Sequence, residues 1–373
     1  MINLKRFKAL FMAGVLTTGL CMSGMGVFAA DGENTGSSTS TPEATPSIVK
    51  ELVMADGITV PNAEFEFTVS STTPGAPEVA NITIDYTSET NKGEVGLDGV
   101  YHIAASELLG LQASQFPHAG EYEYTIAEVG NTYTIEDSDE ESMTYDSQTY
   151  TVRYYIVNGE NGLEISKITA ENSDQGKVKD IKFTNIYEKR GGSDVDEDSL
   201  TIKKLIEGEY ADQTKEFNFS ITLTAPATYD GSETIKAKLN NDENSQNVNV
   251  TFGTPYTFVL DHNDTLVFPS LPAGTTYTVT EIGVSDDGYT PSCQVISDGK
   301  TAVAFGDGDE TADLTAKGTV GENSNSAVFT NTYDDGEIVI TGVIINNLPF
   351  IILIAAAVAG IAGYVVVKRK IAR

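Results

Sequence analysis

Phe183-Thr184-Asn185-Ile186-Tyr187 recurs as Phe329-Thr330-Asn331-Thr332-Tyr333. In a strand, successive side chains point to opposite faces. Each copy therefore carries an asparagine on the same face as its phenylalanine. Working outward, Tyr124-Thr125-Ile126-Ala127-Glu128 recurs as Tyr277-Thr278-Val279-Thr280-Glu281. Phe65-Glu66-Phe67-Thr68-Val69 recurs as Phe217-Asn218-Phe219-Ser220-Ile221, and Ile48-Val49-Lys50-Glu51-Leu52 as Ile202-Lys203-Lys204-Leu205-Ile206. The copies keep their order along the chain, 146 to 154 residues apart, which is the signature of a tandem repeat. Between them run short alternating segments rich in Tyr, Val, Ile, Phe and Thr, punctuated by Gly, Asn and Asp. Only the stretch from Ser106 to Gln115 could form a helical turn or two. The expected class is all-β: two tandem immunoglobulin-like β-sandwich domains over 47–189 and 200–335, joined by a glycine-rich, acidic linker over 190–199.

The two ends predict export. Lys5, Arg6 and Lys8 precede an apolar run to about Leu20, and small residues surround Val27-Phe28-Ala29-Ala30. This order predicts a signal peptide over 1–30, cleaved after Ala29 or Ala30, with Ala29 slightly preferred. Cys21 lacks the small residues that would precede a lipoprotein cysteine. Residues 31–46 read as a flexible leader. At the other end, Leu348 to Val367 is 20 residues without a charge, followed by Lys368, Arg369, Lys370 and Arg373. That pattern predicts a transmembrane helix over 348–367 with its basic tail inside and the rest of the chain outside. The net charge of −31 excludes nucleic acid as a partner. One cysteine, Cys293, lies between the end segments, so no disulfide can staple either domain. Cys293 reads as a small buried hydrophobe.

Strand parity sends one lysine, one glutamate and one asparagine into each apolar core. Lys50 shares a face with Ile48 and Leu52, Glu128 with Tyr124 and Ile126, and Asn185 with Ile181 and Phe183. In the second copy the same positions are Lys204, Glu281 and Asn331; parity turns the adjacent Lys203 outward. Burying such groups unpaired costs several kcal/mol, so they are expected to meet. In an apolar pocket a carboxyl tends to stay protonated and an amine to lose its proton. A neutral lysine is a nucleophile, and a protonated glutamate bonded to the asparagine carbonyl would activate its carbon. The product is a Lys–Asn isopeptide bond with loss of ammonia, which would tie the first strand of each domain to the last. A buried Lys–Glu ion pair with the asparagine bonded beside it is the plainer alternative. What favours the reactive reading is that the same three residue types recur in the same order.

With these residues in hand, the region from Ile48 to Tyr333 resembles the pilin isopeptide-linkage domains of streptococcal T-antigen-type backbone pilins. The resemblance implies bonds Lys50–Asn185 and Lys204–Asn331, with Glu128 and Glu281 as the catalytic acids. Residues 336–373 extend it: Glu337-Ile338-Val339-Ile340-Thr341-Gly342 resembles a sortase site cut between Thr341 and Gly342, with Ile340 where the usual signal has proline. This implies a dedicated pilus sortase. In the family, the acceptor amine of the next subunit lies just before the final-strand asparagine. Here Lys177, Lys179 and Lys182 are the candidates; Val178 occupies the best-aligned position and Lys177 and Lys179 flank it. The implied protein is the structural shaft subunit of a sortase-assembled pilus, not a turnover enzyme. A monomeric wall-anchored adhesin or accessory pilin is the alternative. The implied partners are the sortase, identical subunits, peptidoglycan or a basal pilin, and a host surface ligand if any. No cofactor is implied. Asp307-Gly308-Asp309-Glu310 hints at calcium, but Gly318 stands where a calcium loop would end in glutamate. With three histidines and no clustered ligands, no metal site is expected.

Overall fold

Buried and outward-facing residues alternate along most strands, so the chain builds sheets with one apolar face each. The computed structural model describes residues 46–333 except 173, 175, 230, 232, 242–243, 284–287 and 307–312. The expected signal peptide, most of the leader, the Asp307–Glu310 run, Thr341-Gly342 and the 348–367 helix lie outside the described residues. Among the described residues no helix is long and apolar enough to cross a membrane.

The first half folds as two facing sheets. One has four strands, in the order β4 (Val100–Leu108), β1 (Ser47–Ala55), β10 (Ile181–Lys189) and β6 (Glu141–Thr144). The other has six: β3 (Ile82–Tyr86), β2 (Ala63–Ser71), β5 (Gly120–Glu128), β7 (Thr149–Gly159), β8 (Gly162–Asn172) and β9 (Gly176–Val178). The second half repeats the plan. Seven strands run β14 (Asn244–Thr251), β13 (Thr234–Asn241), β16 (Thr265–Phe268), β11 (Leu200–Glu207), β21 (Ser326–Tyr333), β18 (Tyr289–Ser297) and β19 (Lys300–Gly306). Four more run β15 (Tyr256–Leu260), β12 (Phe217–Thr224), β17 (Thr276–Ile282) and β20 (Asp313–Thr319). Each pair of sheets encloses its own apolar cluster. The chain is all-β. The Ser106–Gln115 stretch gives the end of β4 and one 3₁₀ turn, Ala113–Gln115.

In both halves the first and last strands are parallel neighbours, β1 beside β10 and β11 beside β21. Parallel pairing of strands so far apart needs the whole intervening domain as its crossover. The register is the same in both. Lys50 lies opposite Phe183 and Leu52 opposite Asn185; Lys204 lies opposite Phe329 and Ile206 opposite Asn331.

The connection between the halves is not a free tether. Gly191, Gly192 and Ser199 are buried or nearly so, and only 194–198 stand out in solvent. Main-chain bonds join Ala273 N–H to Lys189, Gly191 N–H to Leu271 and Gly192 N–H to Gly321 (2.9, 2.9 and 3.0 Å). Gly274 adopts φ +85°, and a Cβ there would collide with Ala55 of the first half, so glycine is what lets the two halves close up. Glu322 reaches back from the second half. Its N–H donates to Gly57 O (2.9 Å), its Oε1 accepts from Thr59 N–H (3.0 Å) and from the Thr59 hydroxyl, and its Oε2 lies 3.2 Å from Lys189 Nζ.

Candidate functional site: two buried Lys–Glu–Asn triads

Three strands position each triad. Lys50 and Asn185 project from β1 and β10 of one sheet, and Glu128 projects from β5 of the facing sheet, opposite Phe67. In the second half Lys204 and Asn331 project from β11 and β21, and Glu281 from β17 opposite Phe219. Both lysine and both glutamate side chains are 0% exposed, and both asparagines are fully buried. Lys203 faces outward beside the buried Lys204.

Lys50 Nζ lies 2.9 and 3.0 Å from the two carboxylate oxygens of Glu128. Asn185 Nδ2 donates to Glu128 Oε1 at 2.7 Å. Lys204 Nζ lies 3.0 Å from Glu281 Oε1, and Asn331 Nδ2 donates to the same oxygen at 2.8 Å. Aromatic rings wall both sites. Lys50 Nζ sits 4.7 Å from the Phe65 ring centre and Lys204 Nζ 4.6 Å from that of Phe217. Phe67 against Phe183 and Phe219 against Phe329 (5.0 and 5.3 Å) close them from the other side. Burial pulls the Lys50 and Lys204 amines down to about 8, against the opposing pull of the paired glutamate. Burial pushes Glu128 and Glu281 above the usual carboxylate range, against the lysine. Each shift favours the neutral pair over the ion pair.

The two sites differ at the amide oxygen. In the first, Asp146 N–H donates to Asn185 Oδ1 at 2.8 Å. A main-chain N–H can only donate, so this contact fixes which end of the amide is oxygen and turns Nδ2 toward Glu128. The sequence reading had the glutamate on the asparagine carbonyl; here the glutamate meets the amide nitrogen instead. In the second site Asn331 Oδ1 and Glu281 Oε2 have no hydrogen-bond partner among the described residues. Lys204 Nζ is close to Glu281 but out of line for a hydrogen bond, so we read that contact as electrostatic.

Two further groups brace the first site. The Tyr86 hydroxyl donates between Lys50 O and Ile103 O (2.8 and 2.9 Å), holding β1 to β4. Glu51 sits on the opposite face of β1, where its Oε1 lies 2.8 Å from Lys182 Nζ and its Oε2 accepts from Thr184 Oγ1 at 3.1 Å. Lys182 is thus engaged in an ion pair, while Lys177 lies on the edge strand β9 and Lys179 just beyond it, both exposed. Cys293 is a free, buried thiol beside the second triad, and burial pushes it up to about 12. Among the described residues no group of His, Cys, Asp and Glu could hold a metal ion.

Each half is thus a β-sandwich whose two terminal strands bring a buried lysine and asparagine to one glutamate of the facing sheet. Residues 46–188 match the family described as Spy0128-like isopeptide containing domain. Residues 198–333 match a family described only as a domain of unknown function, DUF7601. The chain is similar to a pilin of Streptococcus pyogenes serotype M1, 29% identical over 232 residues covering 61% of this chain and 63% of that protein. It therefore spans a little under two thirds of that relative's length. A segment of 112 residues is 37% identical to the pilus tip adhesin Cpa of Streptococcus pyogenes, covering 30% of this chain and 15% of the adhesin. Among solved structures, the major pilin from Streptococcus pyogenes is similar at 21% identity, over 78% of this chain and 98% of that one, with a TM-score of 0.37.

Proposed function

We propose that the protein is the shaft subunit of a cell-surface pilus, with each domain locked by an autocatalytic Lys–Asn isopeptide bond. The observation that carries this is the pair of buried triads, set at the same register in both halves. A lone buried triad is compatible with a structural ion pair. Two with the same strand positions and the same phenylalanine walls fit a shared chemistry better.

In the reaction, the lysine ammonium first yields a proton to the glutamate. The Nζ lone pair attacks Asn Cγ, a C–N bond forms, and the carbonyl π pair moves onto Oδ1. Glutamate gives its proton to Nδ2 and takes one from Nζ. The Cγ–Nδ2 bond breaks, ammonia leaves, the carbonyl reforms and the glutamate ends as the neutral acid, one proton richer than the carboxylate that first met the lysine ammonium. Glu128 Oε1 lies within hydrogen-bond distance of both nitrogens, which suits it to carry that proton.

Cleavage between Thr341 and Gly342 by a pilus-specific sortase, export by the 1–30 signal peptide and transient anchoring through 348–367 complete the proposal. Lys177 and Lys179 are the preferred acceptor amines, because they flank the best-aligned position and are both exposed. The partners are then identical subunits, joined end to end, and peptidoglycan or a basal pilin at the wall. The partial match to a tip adhesin supports a second reading, an accessory pilin or wall-anchored adhesin built from the same domains. A high-mass ladder in wall extracts, abolished by changing Lys177 and Lys179 together, separates a shaft subunit from an adhesin.

The first test is the intact mass of residues 31–341 produced without any sortase. It should fall two ammonia molecules short of the sequence mass, and Glu128→Ala and Glu281→Ala should each restore one. A mass equal to that of the sequence would leave two buried ion pairs and remove the isopeptide chemistry.

A further inference from the structure

The two triads share register, walls and residue types, yet among the described residues Asn185 Oδ1 is held and Asn331 Oδ1 is not. The cause lies in the strand beside each asparagine. Strand β6 pairs with β10 only as far as Thr144, opposite Ile186, and then turns away. The turn brings Asp146 over the triad. Its Oδ1 accepts from Gln148 N–H and its Oδ2 from Thr184 N–H, both at 2.8 Å, so the carboxylate is tied down on both oxygens by main-chain donors. With Asp146 pinned at both ends, its own N–H points at Asn185 Oδ1, 2.8 Å away. In the second domain β18 does not turn away. It runs straight past the asparagine, placing Pro291 opposite Asn331. Proline has no N–H to offer. The next residue, Ser292, spends its hydroxyl on Thr330 O (3.2 Å).

When lysine attacks, negative charge collects on Oδ1. A fixed N–H already at hydrogen-bond distance from that oxygen stabilises the transition state more than the ground state, and in a dry pocket it does so strongly. We propose that the main-chain N–H of Asp146 is the oxyanion donor of the first-domain reaction, and that the first domain therefore closes faster than the second. The inference rests on the isopeptide reading and adds to it a catalytic group and an order of events. The Asp146 side chain is a positioning group: it aims the N–H and does not itself touch the reacting atoms.

The test is a time course on the full chain made by cell-free translation. Samples are quenched in acid at intervals and digested, and each cross-linked peptide pair is counted by mass. In the wild type the Lys50–Asn185 peptide should appear at least about tenfold sooner than the Lys204–Asn331 peptide. Asp146→Pro removes the N–H and should slow the first cross-link by roughly 10²- to 10³-fold, the loss seen when one oxyanion donor is deleted. The second cross-link in the same molecules should keep its rate. Asp146→Asn keeps the N–H and a side-chain acceptor, and should retain most of the first-domain rate. Equal closure of the two domains in the wild type overturns the proposal, and that comparison needs no variant to fold. So does an unchanged first-domain rate in Asp146→Pro. If cross-links form, and Glu128→Ala abolishes the first of them while the wild-type domains close together, only the Asp146 assignment fails. If no cross-linked peptide forms at all, the isopeptide reading fails and takes this one with it.

Discussion

Glu188 shows what a single buried carboxyl costs when its partners are few. Its Oε2 accepts from the Ser142 hydroxyl at 3.3 Å, and its Oε1 has no partner among the described residues. Burial pushes it up to about 7. A carboxyl raised in the folded state binds a proton there that it would lose when unfolded, so its stabilising contribution is complete below about 4.5 and is lost as the pH rises to about 7. Glu188→Gln should remove that loss and stabilise the first domain by on the order of 2 kcal/mol at neutral pH, with little effect below pH ~4. Urea unfolding across that range checks it; equal slopes for both proteins would refute it. At this scale the sequence is legible in part. Lys50, Glu128 and Asn185 could be read because strand parity and a second copy both point to them. Asp146 could not, because it acts from a turn, on a residue 39 positions away, through its main chain. No side-chain pattern reports such a group.

Among the elements, the parallel pairs β1–β10 and β11–β21 carry the stability argument. A bond from Lys50 to Asn185 would close a loop of more than a hundred residues. Cross-links of that span stabilise by about 4 to 5 kcal/mol in the chain-entropy account. Glu128→Gln keeps the shape of the site but cannot shuttle the proton. It should lower the first domain's unfolding free energy by at least about 4 kcal/mol and leave the second domain's transition in place. Calorimetry resolving the two transitions is the measurement, and coincident shifts of both would count against independent locks. Strand identity and facing were open to sequence reasoning because alternation is local. That first and last strands meet followed from expecting Lys50 to reach Asn185, but their parallel hydrogen-bonded pairing and its register did not, since β1 and β10 are separated by the whole domain.

Across the whole molecule, the joint between the domains decides how they move together. The 190–199 sequence, glycine-rich and then acidic, reads simply as a linker. Its ends are instead buried and bonded, because Glu322 and the 271–274 segment reach across to the first domain. Arg190 locks the crossing: its Nη1 donates to Glu197 O and its Nη2 to Glu140 Oε1 (2.8 and 2.7 Å). Glu322→Ala removes the side-chain partner of Thr59 and one of the two carboxylates on Lys189, the other being Asp194, and should cost about 1–3 kcal/mol of coupling between the domains. Small-angle scattering should then show a broader distribution of lengths than for the parent; an unchanged profile would mean the main-chain bonds suffice. The pairing of first with last strand has one more consequence. With the cross-links made, each domain becomes a closed covalent ring, one shut between Lys50 and Asn185 and the other between Lys204 and Asn331. In the proposed fibre the path joins the first ring at Lys177 or Lys179, leaves it at Asn185 and crosses the second from Lys204 to Asn331, and a ring offers two ways round. A protease that nicks the chain anywhere between Lys50 and Asn185, or between Lys204 and Asn331, would leave the fibre unsevered, so damage to the most exposed turns need not shed the filament.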